Sequence, residues 1–266
     1  MLEFTRSVGG ARFAVSAETW DKIGQYQRLT GKQITADEIA NVDLIAGGRL
    51  VLGLGIASKG DAITREFQAC GVPHIQRIGR FEETIDLLRR LWSEPEVTYK
   101  GRYFELDKVS LGLRPPQQGG PRLWLAGHTE NPLRRVARLG DGWLPNPASP
   151  EIYSAGMVRL DALCKEVGRD PATIHRAVYT TININADPGR AEQELRAFTE
   201  GYYSSPYDVQ KSRQSLCAGD AKTCIAWLRS YAAAGAQTIV VRLGGPDQPR
   251  HLERFTKEVL PAVVSK

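Results

Sequence analysis

Residues 123–143 read LWLAGHTENPLRRVARLGDGW. A bulky apolar run stops at Gly127, polar residues follow, and an arginine-rich amphipathic stretch begins at Pro132. A second short apolar run, Trp143 and Leu144, comes directly after that stretch. A buried strand that passes at once into a helix and then into another strand is typical of a parallel sheet with helical connections.

Strands and helices alternate on both sides of this segment. The predicted strands are residues 49–57, 122–127, 142–145, 176–186 and 237–245, with a hairpin at 97–106. The predicted helices are residues 77–92, 131–139, 150–168, 188–203, 219–235 and 248–260. The glycines of GLGIAS (53–58) lack the third glycine of a dinucleotide-binding fingerprint. We therefore predict an α/β fold of the (β/α)8 TIM-barrel type.

Composition excludes several classes of protein. The chain has 266 residues, with 42% hydrophobic and 24% charged residues, which is typical of a globular protein. No apolar run is long enough for a membrane span and the N-terminus has no signal peptide, so we expect a cytoplasmic protein. The net charge of +5 is scattered, which argues against a nucleic-acid partner. Four cysteines without CxxC spacing and four histidines predict reduced thiols and no metal site.

The junction after residue 126 is the strongest candidate for a binding site. Gly127 has no Cβ, so a ligand can approach the backbone closely. His128 and Thr129 then lead into a helix whose first N–H groups have no intrahelical partner and attract anions. The alternative is that Thr129 or Asn131 merely caps the helix while His128 faces solvent. His128 is also a weak candidate for proton transfer, because it is the only histidine that directly follows a predicted strand.

Two glycine pairs are further candidates. Gly53 and Gly55 would leave room for a flat ring, with Ala57 and Ser58 at the rim, or would only permit close helix–strand packing. Gly244-Gly245 either binds phosphate after the last strand or forms a simple turn. Five other residues are expected to be structural: the isolated histidines His74, His175 and His251, and the core residues Trp124 and Trp143.

Several blocks together resemble the bacterial luciferase-like monooxygenase family. They are GGRLVLGLG, REFQACGVPHIQRIGRFEETIDLLRRLW, VTYKGRYFEL, LWLAGHTENPLRRVARLGDGWLP and GDAKTCIAWLRSYAAAGAQTIVVRL. The resemblance implies a (β/α)8 barrel in which residues 50–56 are the fourth strand and 238–243 the eighth. It also implies a helix at 34–48.

The N-terminus departs from the family pattern. The resemblance implies one barrel domain over 1–266, with 34–266 family-like and 1–33 divergent. Only residues 12–20 in that divergent segment suggest a strand, whereas the family has three barrel units there. A mis-assigned start, a truncated chain, or a reduced barrel completed by a partner subunit would each explain this, so the predicted barrel is N-terminally incomplete or divergent.

The resemblance also implies the chemistry. Family members are oxidoreductases that use reduced FMN or the deazaflavin coenzyme F420 on small organic substrates, and many form homodimers. By this resemblance Gly127, His128 and Thr129 contact the cofactor phosphate, and residues 200–219 are the natural lid over the substrate. The alternative function is a catalytically silent flavin-binding or partner subunit of the same fold. A metal-dependent hydrolase is disfavoured, because only His128 follows a strand as a ligand would.

Overall fold

The structure is a computed structural model that describes residues 3–7, 10–14, 36–56 and 61–264. The chain divides into two compact units, one formed by Met1–Arg6 with Ala11–Trp124 and the other by Ser7–Gly10 with Leu125–Lys266. Within the described ranges, no helix is long and apolar enough to cross a membrane. The expected candidates Ala57 and Ser58 lie outside the described residues.

The first unit contains four strands of the larger sheet and the predicted hairpin. Its elements are β1 (Glu3–Ser7), β2 (Gly10–Ala14), α1 (Ala36–Ile45), β3 (Leu50–Leu54), α2 (Asp61–Ala69), α3 (Arg77–Ser93), β4 (Val97–Lys100), β5 (Glu105–Val109) and β6 (Arg122–Leu125), whose last residue belongs to the second unit. β2 pairs in parallel with β3, placing Phe13 opposite Leu50, and β6 lies on the other side of β3. The buried Asp43 carboxylate accepts from the Leu50 amide at 3.0 Å, which fixes α1 against β3.

The second unit continues the alternation. Its elements are α4 (Glu130–Leu139), β7 (Gly142–Trp143), α5 (Pro150–Glu166), β8 (His175–Ile184), α6 (Pro188–Tyr203), α7 (Tyr207–Lys211), β9 (Leu216–Gly219), α8 (Ala221–Ala233), β10 (Thr238–Leu243) and α9 (Gln248–Arg254). A π-helical turn, Phe255–Val259, then leads into α10 (Leu260–Val264). The last helical segment is therefore longer than predicted.

β8 is the central strand of this unit. β10 pairs along one edge, from Thr238 opposite Ala177 to Leu243 opposite Ile182. β7 pairs with the start of β8, and β9 pairs from Leu216 opposite Thr181 to its end. Thr181 and Ile182 pair with β9 on one side and with β10 on the other. β9 therefore lies on the same side of β8 as β7.

The two faces of this sheet are covered by different helices. Ile182, Ile184 and Val241 pack against α8 and the C-terminal helical segment. On the opposite face, α6 approaches Gly244 and the Arg242 guanidinium through Phe198. The parallel strands therefore have helices on both sides, as predicted for an α/β fold.

The expectation for residues 200–219 was wrong in part. This stretch was assigned to a lid, but it contains the end of α6, the short helix α7 and the strand β9. β9 is held by pairing with the end of β8, and the Ser215 amide at its start donates to Asn146 Oδ1 at 2.7 Å. A four-residue strand has too little periodicity to be recognised in the sequence.

Candidate functional site

The candidate site is the junction between β6 and α4. Gly127, His128 and Thr129 follow the carboxyl end of β6, and α4 begins at Glu130. Gly127 and His128 are half-buried and Thr129 is exposed. The structure therefore brings these three predicted residues together and leaves them accessible from solvent.

Gly127 has a backbone that favours glycine. Its φ is +102°, and an added Cβ would lie 2.6 Å from Pro132 Cβ. Its carbonyl oxygen accepts from Trp143 Nε1 at 2.7 Å. Gly127 is thus fixed by a tight turn into α4 and by an indole donor from β7.

Thr129 occupies the N-cap position without capping the helix. Its φ and ψ are extended (−92°, 169°), and its side chain accepts no hydrogen bond from the helix. The N–H groups of Glu130 and Asn131 stand in the first turn, where no intrahelical acceptor exists. The alternative in which the Thr129 side chain caps α4 is therefore wrong, and both the hydroxyl and these amides are available to a ligand.

Other helices of the unit show the contrast. The Ser149 hydroxyl accepts from the Ile152 amide at the start of α5, and Asp220 accepts from Thr223 at the start of α8. Asp187 does the same for Arg190 at the start of α6. Within the described second unit, the start of α4 differs from these three helix starts in having no capping side chain.

The one carboxylate in the first turn of α4 is held by arginines. Glu130 pairs with Arg159 through two oxygens, at 2.7 and 2.9 Å, and with Arg134 at 2.7 Å. The hydrogen bonds from Arg159 are the main reason that the pKa of Glu130 falls to about 2. Both arginines also contact Glu166, so the charges in this cluster balance. Glu130 therefore presents no unpaired negative charge to an incoming anion.

His128 lies beside the helix start and is neutral near pH 7. Partial burial lowers the pKa of its imidazole below the ordinary value of 6.5. A neutral ring can donate one hydrogen bond to an anion. A bound anion would favour the protonated form and raise this pKa.

β7 and α5 fix the position of Trp143, whose indole donates to the junction. Trp143 is fully buried and its ring stacks on Tyr153 at 5.0 Å between centroids. Gly156 permits this packing, since a Cβ there would lie 2.6 Å from Trp143 Cη2. The expectation that Trp143 and Trp124 are core residues is confirmed. Sequence reasoning missed the hydrogen bond from Trp143 to Gly127, because nothing in the spacing of these residues indicates it.

The remaining candidates have different outcomes. Gly53 lies in β3 and Gly55 directly after it, both in the first unit. Gly244 and Gly245 follow β10. An added Cβ would meet Leu195 Cδ1 at 2.6 Å at Gly244 and the His251 ring nitrogen Nε2 at Gly245. Side chains therefore fill the space beside both glycines, and phosphate binding by this pair stays a prediction.

The histidines expected to be structural are packed or bonded. His74 packs edge-on against Phe67, and His175 Nε2 hydrogen-bonds to Thr238 Oγ1 at 2.8 Å. His251 was expected to be isolated, but it lies near a carboxylate. It is buried, with Nε2 3.7 Å from Glu194 Oε2. The four cysteines are free, as expected, and three are buried.

Comparison with known proteins now assigns the family. The family model described as luciferase-like monooxygenase matches residues 33–238. The chain belongs to this family. It is therefore an oxidoreductase, and the predicted luciferase-like α/β barrel fold is confirmed.

Several relatives are similar over different lengths. The F420-dependent glucose-6-phosphate dehydrogenase of Kineococcus radiotolerans is 25% identical, with 86% of this chain and 72% of that protein covered. The 5,10-methylenetetrahydromethanopterin reductase of Archaeoglobus fulgidus is 27% identical over 61% of this chain and 47% of its own length. The chain thus spans about half the length of the reductase.

Solved structures support the fold. An F420-dependent secondary alcohol dehydrogenase, in complex with an F420–acetone adduct, has a TM-score of 0.72 and 23% identity, covering 86% of this chain and 74% of its own. The monooxygenase RslO1 from Streptomyces bottropensis has a TM-score of 0.69 and 23% identity, covering 85% and 72%. At this identity the likeness concerns the fold alone.

Proposed function

We propose that the chain is a deazaflavin-dependent oxidoreductase that acts on a small organic substrate and holds the cofactor phosphate where β6 turns into α4. The observation that carries this proposal is the uncapped start of α4, with Thr129 Oγ1 and the Glu130 and Asn131 amides accessible. Deazaflavin is preferred over FMN because two relatives and two solved structures of the same fold are named for F420.

The residues of this chain bind and orient, whereas the bound ring would supply hydride transfer. The two amides and the positive end of α4 stabilise the phosphate. The Thr129 hydroxyl donates a further hydrogen bond, and neutral His128 donates from one ring nitrogen. Trp143 holds the Gly127 carbonyl turned away from the anion.

A titration of the purified protein tests the proposal. Oxidised deazaflavin and FMN are added separately while cofactor fluorescence is recorded. We expect micromolar affinity for the deazaflavin and weaker binding of FMN. Failure of both cofactors to bind a folded protein would contradict the proposal.

A second candidate is a monooxygenase, favoured by the likeness to RslO1, with reduced FMN as the cofactor that the family resemblance implies. Tighter binding of FMN than of deazaflavin in the same titration would select it.

Binding without turnover of any alcohol or aldehyde substrate would favour the silent-subunit alternative. We also expect a homodimer by family resemblance, which light scattering measures directly.

A further inference from the structure

Arg242 places a charge inside the second unit. It is the only charged residue of β10 and is 3% exposed. Its side chain lies on the sheet face that α6 covers, opposite Thr181 of β8. A guanidinium stays protonated in proteins, so this position carries a full positive charge.

Aromatic rings surround this guanidinium. Its central carbon lies 4.5 Å from the Tyr202 ring centroid and between 5.3 and 5.4 Å from those of Tyr179, Phe198 and Tyr203. Such cation–π contacts offset part of the cost of burying a charge. None of the rings offers a negative charge in its ordinary state.

The hydrogen bonds of Arg242 are incomplete. Nε donates to Thr181 Oγ1 at 3.0 Å and Nη2 donates to Tyr203 OH at 3.1 Å. Nη1 is buried without a hydrogen-bond partner. Among the residues that the structure describes, no carboxylate forms an ion pair with Arg242. By contrast Arg176, on the other face of β8, bonds to Asp161 at 2.8 Å.

Buried ions are normally paired, and a buried donor without an acceptor indicates a missing partner. The two neutral acceptors satisfy only some of the N–H donors of the Arg242 guanidinium. The unsatisfied nitrogen, Nη1, is bonded to the same carbon as Nη2, which donates to Tyr203. Two neighbouring guanidinium nitrogens are the donors that a carboxylate or phosphate engages in a bidentate pair. An oxyanion fits this pair of neighbouring donors.

The guanidinium lies one side-chain layer below the surface. Tyr202 and Tyr203 are partly exposed and form the last turn of α6, which ends at Ser204 with a left-handed φ of +50°. Rotation of the Tyr203 side chain would break its hydrogen bond to Nη2. The Tyr203 hydroxyl thus occupies the place of one anion oxygen.

We propose that Arg242 binds a carboxylate or phosphate group of the small-molecule substrate, with Nη1 and Nη2 donating to two of its oxygens after Tyr203 turns aside. Calling this molecule the substrate rests on the proposed function. The binding of an anion by Arg242 does not depend on it. The proposal adds an anionic group to the substrate class, at a residue separate from the cofactor corner.

The test is an NMR titration of the arginine Nε–Hε resonances with inorganic phosphate and, separately, malonate at constant ionic strength. The Arg242 signal is assigned from its loss in Arg242→Lys, and Arg176 is the internal control. We expect the Arg242 signal to shift to saturation while that of Arg176 stays in place. Tyr203→Phe removes the competing hydroxyl and should tighten binding by about two- to tenfold.

The outcomes separate the two proposals. An Arg242 signal that moves with neither probe, in the wild type and in Tyr203→Phe, would overturn the inference and leave Arg242 as a contact that holds α6. A shift caused by deazaflavin alone would assign the anion to the cofactor and overturn the substrate assignment. If the cofactor fails to bind but phosphate still moves Arg242, the anion site stands and only the proposed function fails.

Discussion

Gly127 combines a strained backbone with a tight contact. At φ of +102°, residues other than glycine are unfavourable, and the space for a Cβ is filled by Pro132. The same residue offers its carbonyl to Trp143. The turn into α4 therefore depends on the absence of a side chain at this single position.

Substitution of Gly127 should be costly. Gly127→Ala is expected to lower the free energy of unfolding by about 1–3 kcal/mol, because both the φ and the contact with Pro132 are unfavourable. Urea unfolding measures this. Gly201→Ala is the matched control: Gly201 lies within α6 with nothing near its Cβ position, so alanine there should add about 0.5–1 kcal/mol. Equal stability of Gly127→Ala and wild type would contradict this description of the turn.

Thr129 should matter for binding and little for stability. Thr129→Val keeps the shape and removes the hydroxyl, which makes no capping bond. We expect stability within about 0.5 kcal/mol of wild type and deazaflavin affinity reduced about 10- to 100-fold. Ser149→Ala is the control, because it removes a true cap and should cost about 1 kcal/mol without affecting the cofactor. A stability loss at Thr129 equal to that at Ser149 would show a structural role.

At the scale of single residues, sequence patterns predict some functional residues and miss others. Gly127, His128 and Thr129 were found because a glycine, a polar pair and a helix start are adjacent along the chain. Arg242 was missed, although a lone arginine in a β-branched strand was a usable signal. Trp143 was found as a core residue only, since its donor role depends on how its indole lies beside the Gly127 carbonyl.

At the scale of elements, ion pairs join α4 and α5. Glu130 and Arg134 of α4 meet Arg159 and Glu166 of α5. The four side chains are between about one third and one half exposed, so salt screens the cluster. Its main effect is to fix the direction of Glu130 at the start of α4.

The pH dependence of stability should reveal this cluster. The folded-state pKa of Glu130 is about 2, below its ordinary 4.5, mainly because of Arg159. A lowered pKa means stability that is present above pH 4.5 and lost as the pH falls from 4.5 towards 2. Wild type should therefore exceed Glu130→Gln in melting temperature at pH 6, and the gap should narrow by pH 3. A difference in melting temperature of the same size at both pH values would rule out stabilisation by the ionised Glu130.

Trp143 links β7 to the binding corner. Trp143→Phe removes the donor to Gly127 and leaves a small cavity, so we expect a loss of about 2 kcal/mol together with weaker deazaflavin binding. Trp92→Phe is the control, since Trp92 is also buried and donates to the Ala36 carbonyl in the first unit. Trp92→Phe should lower the free energy of unfolding by a similar amount but leave deazaflavin binding unchanged. If both variants bind the cofactor as wild type does, Trp143 does not position the corner.

Long elements were predicted well and short ones were not. α3, α5, α6 and α8 begin and end within three residues of the predicted bounds, because their apolar spacing runs over several turns. β9 was missed, since LCAG has no alternation and becomes a strand by pairing with β8. Gly127 lies outside β6 for the opposite reason: its positive φ ends the extended backbone.

At the scale of the whole molecule, the order of elements carries the fold. Each crossover from β6 to β10 is complete within the chain, so the parallel sheet of the second unit could be predicted from alternation alone. The family model covers residues 33–238, and the family-like region of 34–266 stays a prediction. Of the 32 residues before the matched range, the structure describes β1 and β2, and the strand predicted at 12–20 overlaps only β2.

Cofactor binding at the start of α4 is tested most directly by following backbone amide shifts as deazaflavin is added to the labelled protein. We expect large shifts at the Thr129, Glu130 and Asn131 amides, with saturation matching the fluorescence titration. The amides after Asp220, whose helix start is capped by its own side chain, should stay in place. Saturable binding that leaves the amide signals at the start of α4 unshifted, while those of Gly244 and Gly245 shift, would show that the cofactor binds elsewhere.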